Sequence, residues 1–351
     1  MKLLLVILFL TGALATARAK ETLHHIIGCS IYDLKGKLVR EFGGGVCLFL
    51  PDGSYIAGLF EEQQLYRVDK NQKILWRDNV QVHHQLNLDL AGLHFLLMTG
   101  SEQKFKGKWV RFDRLEIRDF ENKSLHSFDF FKRREELLKI AGKNGDDLWE
   151  IPTRFQRRAK FEFSHINSFY QIDDNTLSKS HPAFAKGNYV VNANGLRLIF
   201  ILDAKLEKIL WSLPQVPNHE GLAGYHDVQV MPNGRLLIYN NMAFASGETS
   251  GFHSAVWSVD PLTQKRITLY EGRSLQDFAS RILGGAQALP NGNLLLSDIT
   301  KGGRAFEVTP KRKLVWEMMN PKVDPTSKRP LEIQQVKRLN VSEFLRLNRE
   351  H

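Results

Sequence analysis

Histidine is scarce in this chain, 12 of 351 residues, yet three histidines recur at one place in an internal pattern. His84 begins HQLNLDLAGLHFLLMTG, His165 begins HINSFYQIDDN, and His226 stands second in YHDVQVMPNGRLLIYNN. Aligned on their turns, Gly92 follows His84 and Gly234 follows His226 by the same eight residues that separate Gly45 from Gly53 and Gly284 from Gly292. The turn Asp173-Asp174-Asn175 puts His165 at the same place, within one residue. The shared position therefore reads Gly45, His84, His165, His226, Gly284. A neutral imidazole nitrogen is a nucleophile, and a protonated neighbour can stabilise developing negative charge or pass a proton. Three imidazoles can also hold zinc with an open position. No zinc helix motif accompanies these, and no carboxylate behind them is evident in the sequence, so the site is expected to be free of metal and of any cofactor. The two glycines leave room for a ligand. His83 should point the other way along its strand, Asn167 shares a face with His165, and Asp227 is expected to orient a backbone or neighbouring group.

Such side chains meet only if the repeat places them. Five similar units begin at Gly45, His84, His165, His226 and Gly284, each reading as four short strands. A first strand meets a P-[DN]-G-like turn, an apolar second strand follows, the third ends in Asp or a Pro-flanked turn, and the fourth often carries Trp (Trp76, Trp211, Trp316). A repeated four-stranded unit of roughly 40–50 residues is the pattern of a propeller blade. CSIYDLKGKLVREF (29–42) matches a third and fourth strand, and LEIQQVKRLNVSEFLRL (331–347) offers two inner ones. The fold class is all-β, a six-bladed β-propeller whose closing blade is shared by both chain ends. Residues 131–160 break the rhythm with a charged amphipathic helix and a Pro-containing loop, a helical insertion between blades 2 and 3 expected to act as a structural cap. First strands line a propeller's channel, so the histidines should converge at one mouth.

Residues 1–19 carry Lys2, the apolar run Leu3–Leu10 and Ala17-Arg18-Ala19, which read as a cleavable export signal ahead of a single domain, 20–351. That run is too short to span a bilayer, so the product is expected in the periplasm or secreted, with no membrane anchor. Loss of Lys2 and Arg18 lowers the formal charge from +10 to +8. A basic surface suits an anionic small molecule; the runs Lys132-Arg133-Arg134 and Arg157-Arg158 lie in the insertion without a nucleic-acid module, so no nucleic acid is expected. Cys29 and Cys47, the two cysteines, are free to pair or not. The oligomeric state is not legible.

The phrases HHQLNLD (83–89), SHINSF (164–169), YHDVQVMPNG (225–234), GGAQALPNGNLLLSD (284–298) and GRAFEVTPKRKLVWEMMNP (303–321) resemble the bacterial arylsulfotransferases of the ASST type, six-bladed propellers. The resemblance covers most of 45–321. It implies transfer of a sulfuryl group from an aryl sulfate to a phenol through a sulfated histidine, without a nucleotide donor. Carried over, His226 is the nucleophile, His84 and His165 hold sulfuryl oxygens or shuttle protons, and Asn167 lies alongside. The family's arginine at the end of the second strand of the HxNS blade is matched here by Asn194; Arg197 lies three residues on. Loss of such a donor costs on the order of 10²–10³ in rate. The alternatives are a catalytically weakened propeller that binds an anionic or aryl ligand, and a scaffold for protein partners. Arg197 or Arg304 turned toward the histidines would favour the enzyme.

Overall fold

Asp69, Asp119, Asp203 and Asp260 each end a third strand and close the turn to the fourth. The Asp69 carboxylate accepts from the backbone N–H groups of Asn71 and Lys73 at 2.8 and 2.9 Å. Asp119, Asp203 and Asp260 repeat the arrangement on the N–H groups that follow them. Asp does this because its short side chain mimics a backbone acceptor. The recurring residue in the sequence is thus a recurring turn, and it fixes the register of the outer strand pair in these four blades.

The computed structural model describes residues 24–42, 45–50, 52–59, 62–153, 156–215, 224–244, 252–273, 277–280, 282–299 and 302–339. The expected export signal, and the part of 331–347 beyond residue 339, lie outside the described residues. Six sheets stand in a ring, five of them four-stranded and antiparallel. Blade 1 comprises Val46–Phe49, Tyr55–Leu59, Gln64–Val68 and Ile74–Asp78. Blade 2 comprises Val82–Leu88, the long pair His94–Phe105 and Lys108–Asp119, and Ser124–Asp129. Blades 3, 4 and 5 start with Ile166–Gln171, Tyr225–Val230 and Gly285–Ala288. The fold is the all-β six-bladed propeller expected.

Apolar side chains gather in six clusters, and each fills one junction between neighbouring blades. Phe112, Phe163 and Phe200 lie in the cluster of blades 2 and 3. Tyr225, Ile238 and Phe184 sit between blades 3 and 4. Ile31, Tyr55 and Leu339 join the closing blade to blade 1. A blade has two faces to cover and the ring covers both, which explains why second and third strands read as continuous apolar runs.

The closing blade departs from expectation in its division. Its order is Val336–Leu339, His24–Ile27, Ser30–Asp33, Leu38–Glu41. The N-terminal side supplies three strands and the C-terminal side one, where two and two were expected. Val336–Leu339 pairs antiparallel with His24–Ile27, Leu339 opposite His24. HHII is too short to show a period, and its polar start hides a strand. Cys29 and Cys47 form a disulfide, Cα atoms 5.1 Å apart, which links this blade to the first strand of blade 1.

Candidate functional site

The three first strands that carry histidines are bulged. Pairing to the second strand skips between Val82 and Leu86, between Ile166 and Ser168, and between His226 and Gln229. The first strands of blades 1 and 5, each immediately preceded by the glycine of the shared position, pair without a skip. The bulges hold His84 at φ 59°, His165 at φ 42° and Asp227 at φ 50°, in the left-handed region. Each such residue costs on the order of 1 kcal/mol or more and persists where the surroundings fix it, often beside a working site. The bulges re-aim the rings, and the rings meet: the His84 centroid is 5.4 Å from that of His165 and 6.1 Å from that of His226. His83 turns away, its Nε2 2.9 Å from Asp113 Oδ1.

His226 is held by an amide. Asn241, on the second strand of blade 4, donates from Nδ2 to Leu283 O at 2.6 Å, so its Oδ1 faces His226 Nδ1 at 2.5 Å. Nδ1 therefore carries the hydrogen and donates it, which leaves the lone pair on Nε2. Enclosure first, and the nearby His165 second, push the His226 pKa down to about 3, so the ring is neutral at ordinary pH. His84 is pushed well down by enclosure and by His83, His165 and His226. Gln334, beside the closing strand, donates to His84 O at 2.8 Å and lies 3.3 Å from its Nδ1.

His165 differs. Its Nδ1 is 2.5 Å from Glu162 Oε1. Arg111 donates to the other oxygen of Glu162 through Nε at 3.1 Å and through Nη2. Enclosure opposes the imidazolium, but the carboxylate prevails and the His165 pKa is raised. Enclosure likewise opposes ionisation of Glu162, and His165 and Arg111 overcome it, drawing its pKa down to about 2. Trp149 stacks on the His165 ring, centroids 5.2 Å apart and planes 9° from parallel. The carboxylate that the sequence did not reveal is thus present. Glu162 precedes His165 by three residues, which in a regular strand puts the two on opposite faces; the left-handed turn at His165 brings it round.

The remaining expected residues divide. Asn167 is buried beside His226: Nδ2 donates to Tyr225 O at 2.8 Å and lies 3.4 Å from His226 Nδ1. Its Oδ1 is buried without a partner among the described residues. Asn194 is buried with its side chain against Gly224, where an added Cβ would collide with Oδ1 at 1.4 Å. Arg197 turns the chain at φ 52°, and its charge adds to that of Lys143, the main influence, in holding down the pKa of Asp147 in the insertion. Arg304 is engaged by Glu317 at 2.5 Å and by Asp277 O at 2.8 Å. The guanidinium whose charge bears on His84 and His165 is that of Arg111. Asp227, as expected of an orienting group, accepts from Ala286 N of blade 5 at 2.8 Å and from Tyr170 of blade 3. Of the three histidines, His84 alone is in the wall of a cavity of about 1440 Å³, with Gln85 and Tyr170 and, beside the closing strand, Gln334, Gln335 and Lys337. Among the described residues no set of His, Cys, Asp or Glu is arranged to hold a metal ion.

A family model, arylsulfotransferase (ASST), matches residues 151–321. No curated protein matches. A protein of unknown function from Bacteroides caccae is 12% identical, with 91% of this chain and 99% of that one covered and a TM-score of 0.52. A periplasmic gluconolactonase from Pseudomonas aeruginosa is 10% identical, with 91% and 99% covered and a TM-score of 0.48. At such identities the first likeness speaks for the fold alone, and the second adds nothing to it.

Proposed function

The chain is an ASST-type propeller, by the family match over 151–321 and by its six blades, and from that premise we propose that it moves a sulfuryl group from an aryl sulfate ester to a phenolic acceptor through a sulfohistidine. The observation that carries this is the meeting of three imidazoles from three blades, with Nδ1 of His226 committed to Asn241 and Nε2 without a hydrogen-bond partner among the described residues.

In the first half-reaction the Nε2 lone pair of His226 attacks sulfur. The S–O bond to the aryl group breaks, and its electron pair leaves on the phenolate. His165, as imidazolium, grips a sulfuryl oxygen with its Nε2 proton on binding and passes that proton to the departing aryl oxygen as the bond breaks, while His84 holds the group in place. In the second, His165 takes the proton from the acceptor phenol, whose oxygen attacks sulfur as the S–N bond breaks and its electron pair returns to His226. The unpartnered Oδ1 of Asn167 can accept from a substrate hydroxyl, which offsets the roughly 1–3 kcal/mol that an unsatisfied buried acceptor costs. One pocket serves donor and acceptor in turn.

A disulfide suits an oxidising space, which supports the expected export to the periplasm or beyond. A second reading, ligand binding without turnover, is favoured by the neutral Asn194 at the place of the family's arginine. The test uses a chromogenic aryl sulfate with and without a phenol acceptor, beside His226→Ala. Acceptor-dependent phenol release, lost by more than about 10³-fold in the variant, is the expected result. Tight binding with no release gives the second reading, and release that depends on added zinc overturns both.

A further inference from the structure

The insertion between blades 2 and 3 does more than cover an edge. Its helix, Arg134–Ala141, buries Leu137 and Leu138 in the cluster between blades 2 and 3 and ends at Gly142, φ 65°. Arg133 donates to Glu207 O at 2.8 Å and Lys143 to Gly195 O at 3.1 Å, so the segment is fastened to blade 3. From there the chain adds two short strands to the overlong hairpin of blade 2. Phe161–Glu162 pairs parallel with Lys108–Asp119, Glu162 opposite Arg111, and Trp149–Glu150 pairs antiparallel with it, Trp149 opposite Glu162. Arg111, Glu162 and Trp149 therefore lie in one row across three strands. Both Glu162 and Trp149 end on His165, one at its Nδ1 and one on its face.

We propose that this row is a charge-setting device, which makes His165 the resident cation of the histidine cluster and the group that grips the sulfuryl oxygens where Asn194 offers no charge. The inference rests on the sulfuryl-transfer reading for what is gripped, but not for the charge, which follows from the Glu162 contact and the Trp149 stack. A sulfate monoester enters as an anion, and a pocket of neutral rings is a costly place for it. Arg111 is spent on Glu162, and His84 and His226 are neutral. The groups facing His165 are Glu162, Arg111, Asp113, His84 and His226; the carboxylates favour its charge, while Arg111 and the other rings oppose it. Trp149 adds a cation–π contact on the ring face. Glu162, Arg111 and Trp149 act through His165 and are positioning residues.

The test is a pH titration of the histidine rings by NMR on ¹⁵N-labelled protein, with His165→Gln to identify the resonance, in wild type, Glu162→Gln and Trp149→Leu. Wild-type His165 is expected to be protonated at pH 7, to titrate at distinctly lower pH in Glu162→Gln, and to fall by less in Trp149→Leu, which keeps the ion pair should the first variant not fold. In parallel, an aryl sulfonate, which has no ester oxygen to lose, should bind Glu162→Gln at least about tenfold more weakly at pH 7. The alkaline limb of the transfer rate should move to lower pH in that variant. A neutral His165 at pH 7 in wild type, or a midpoint unmoved by Glu162→Gln, overturns the proposal. Equal sulfonate affinity in both proteins overturns the gripping role. Wild type that neither turns over nor binds sulfonate overturns the sulfuryl reading instead, and the titration still decides the charge.

Discussion

The amide of Asn241 is fixed at both ends, by Leu283 O on one side and His226 Nδ1 on the other, and so it selects the tautomer of the proposed nucleophile. Removing the acceptor frees the ring to carry its hydrogen on either nitrogen. Asn241→Ala is expected to lower kcat about tenfold or more, the worth of one good hydrogen bond, with KM nearly unchanged. Asn241→Asp keeps an acceptor, should restore much of the rate, and should raise the pH at which His226 protonates; steady-state kinetics and ring titration measure both. The three histidines were legible because a repeat made them comparable. Asn241 was not, since it lies 15 residues on and the bulge at His226–Gln229 shifts the pairing that a count of residues assumes. Arg111 and Glu162 stayed hidden for a related reason: a parallel two-residue pairing leaves no periodic trace.

Among the elements, the closing blade has four-residue strands throughout, the shortest set among the described residues. The Cys29–Cys47 bridge spans 18 residues and ties that blade to its neighbour. A closed loop of this size is worth about 3 kcal/mol in a chain-entropy account. Reduction, or a double change to serine, should therefore lower Tm by several degrees, read by circular dichroism with and without reductant, while the histidine cluster across the ring stays formed. Strands two to four of the five complete blades were legible from their turns, because Asp and Gly there have a backbone role that tolerates few substitutes. The division of the closing blade and the two insertion strands were not, being two to four residues long, below the length at which alternation is readable.

For the whole molecule, the buried titratable groups make stability depend on pH. The unfolded chain protonates His226 near pH 6.5, and the folded one only near 3. Stability from this ring is complete above pH 6.5 and drains as pH falls toward 3. Glu162 adds a second loss between about 4.5 and 2. His165 runs oppositely: its contribution is full below pH 6.5 and disappears as pH rises through its raised pKa. Tm measured across this range should fall on the acid side, beginning near pH 6.5, and less steeply between 6.5 and 3 in His226→Gln. A flat profile down to pH 4 would contradict the neutral state assigned to that ring.

The strand Val336–Leu339 seals a circle whose other members were made long before it. The contact of Gln334 with His84 bridges 250 positions, so a nascent polypeptide cannot complete this wall of the chamber until Gln334 and the strand after it have emerged. On the proposed function, a chain cut back before Gln334 is therefore expected to lack sulfuryl transfer, which a truncation series read by phenol release checks.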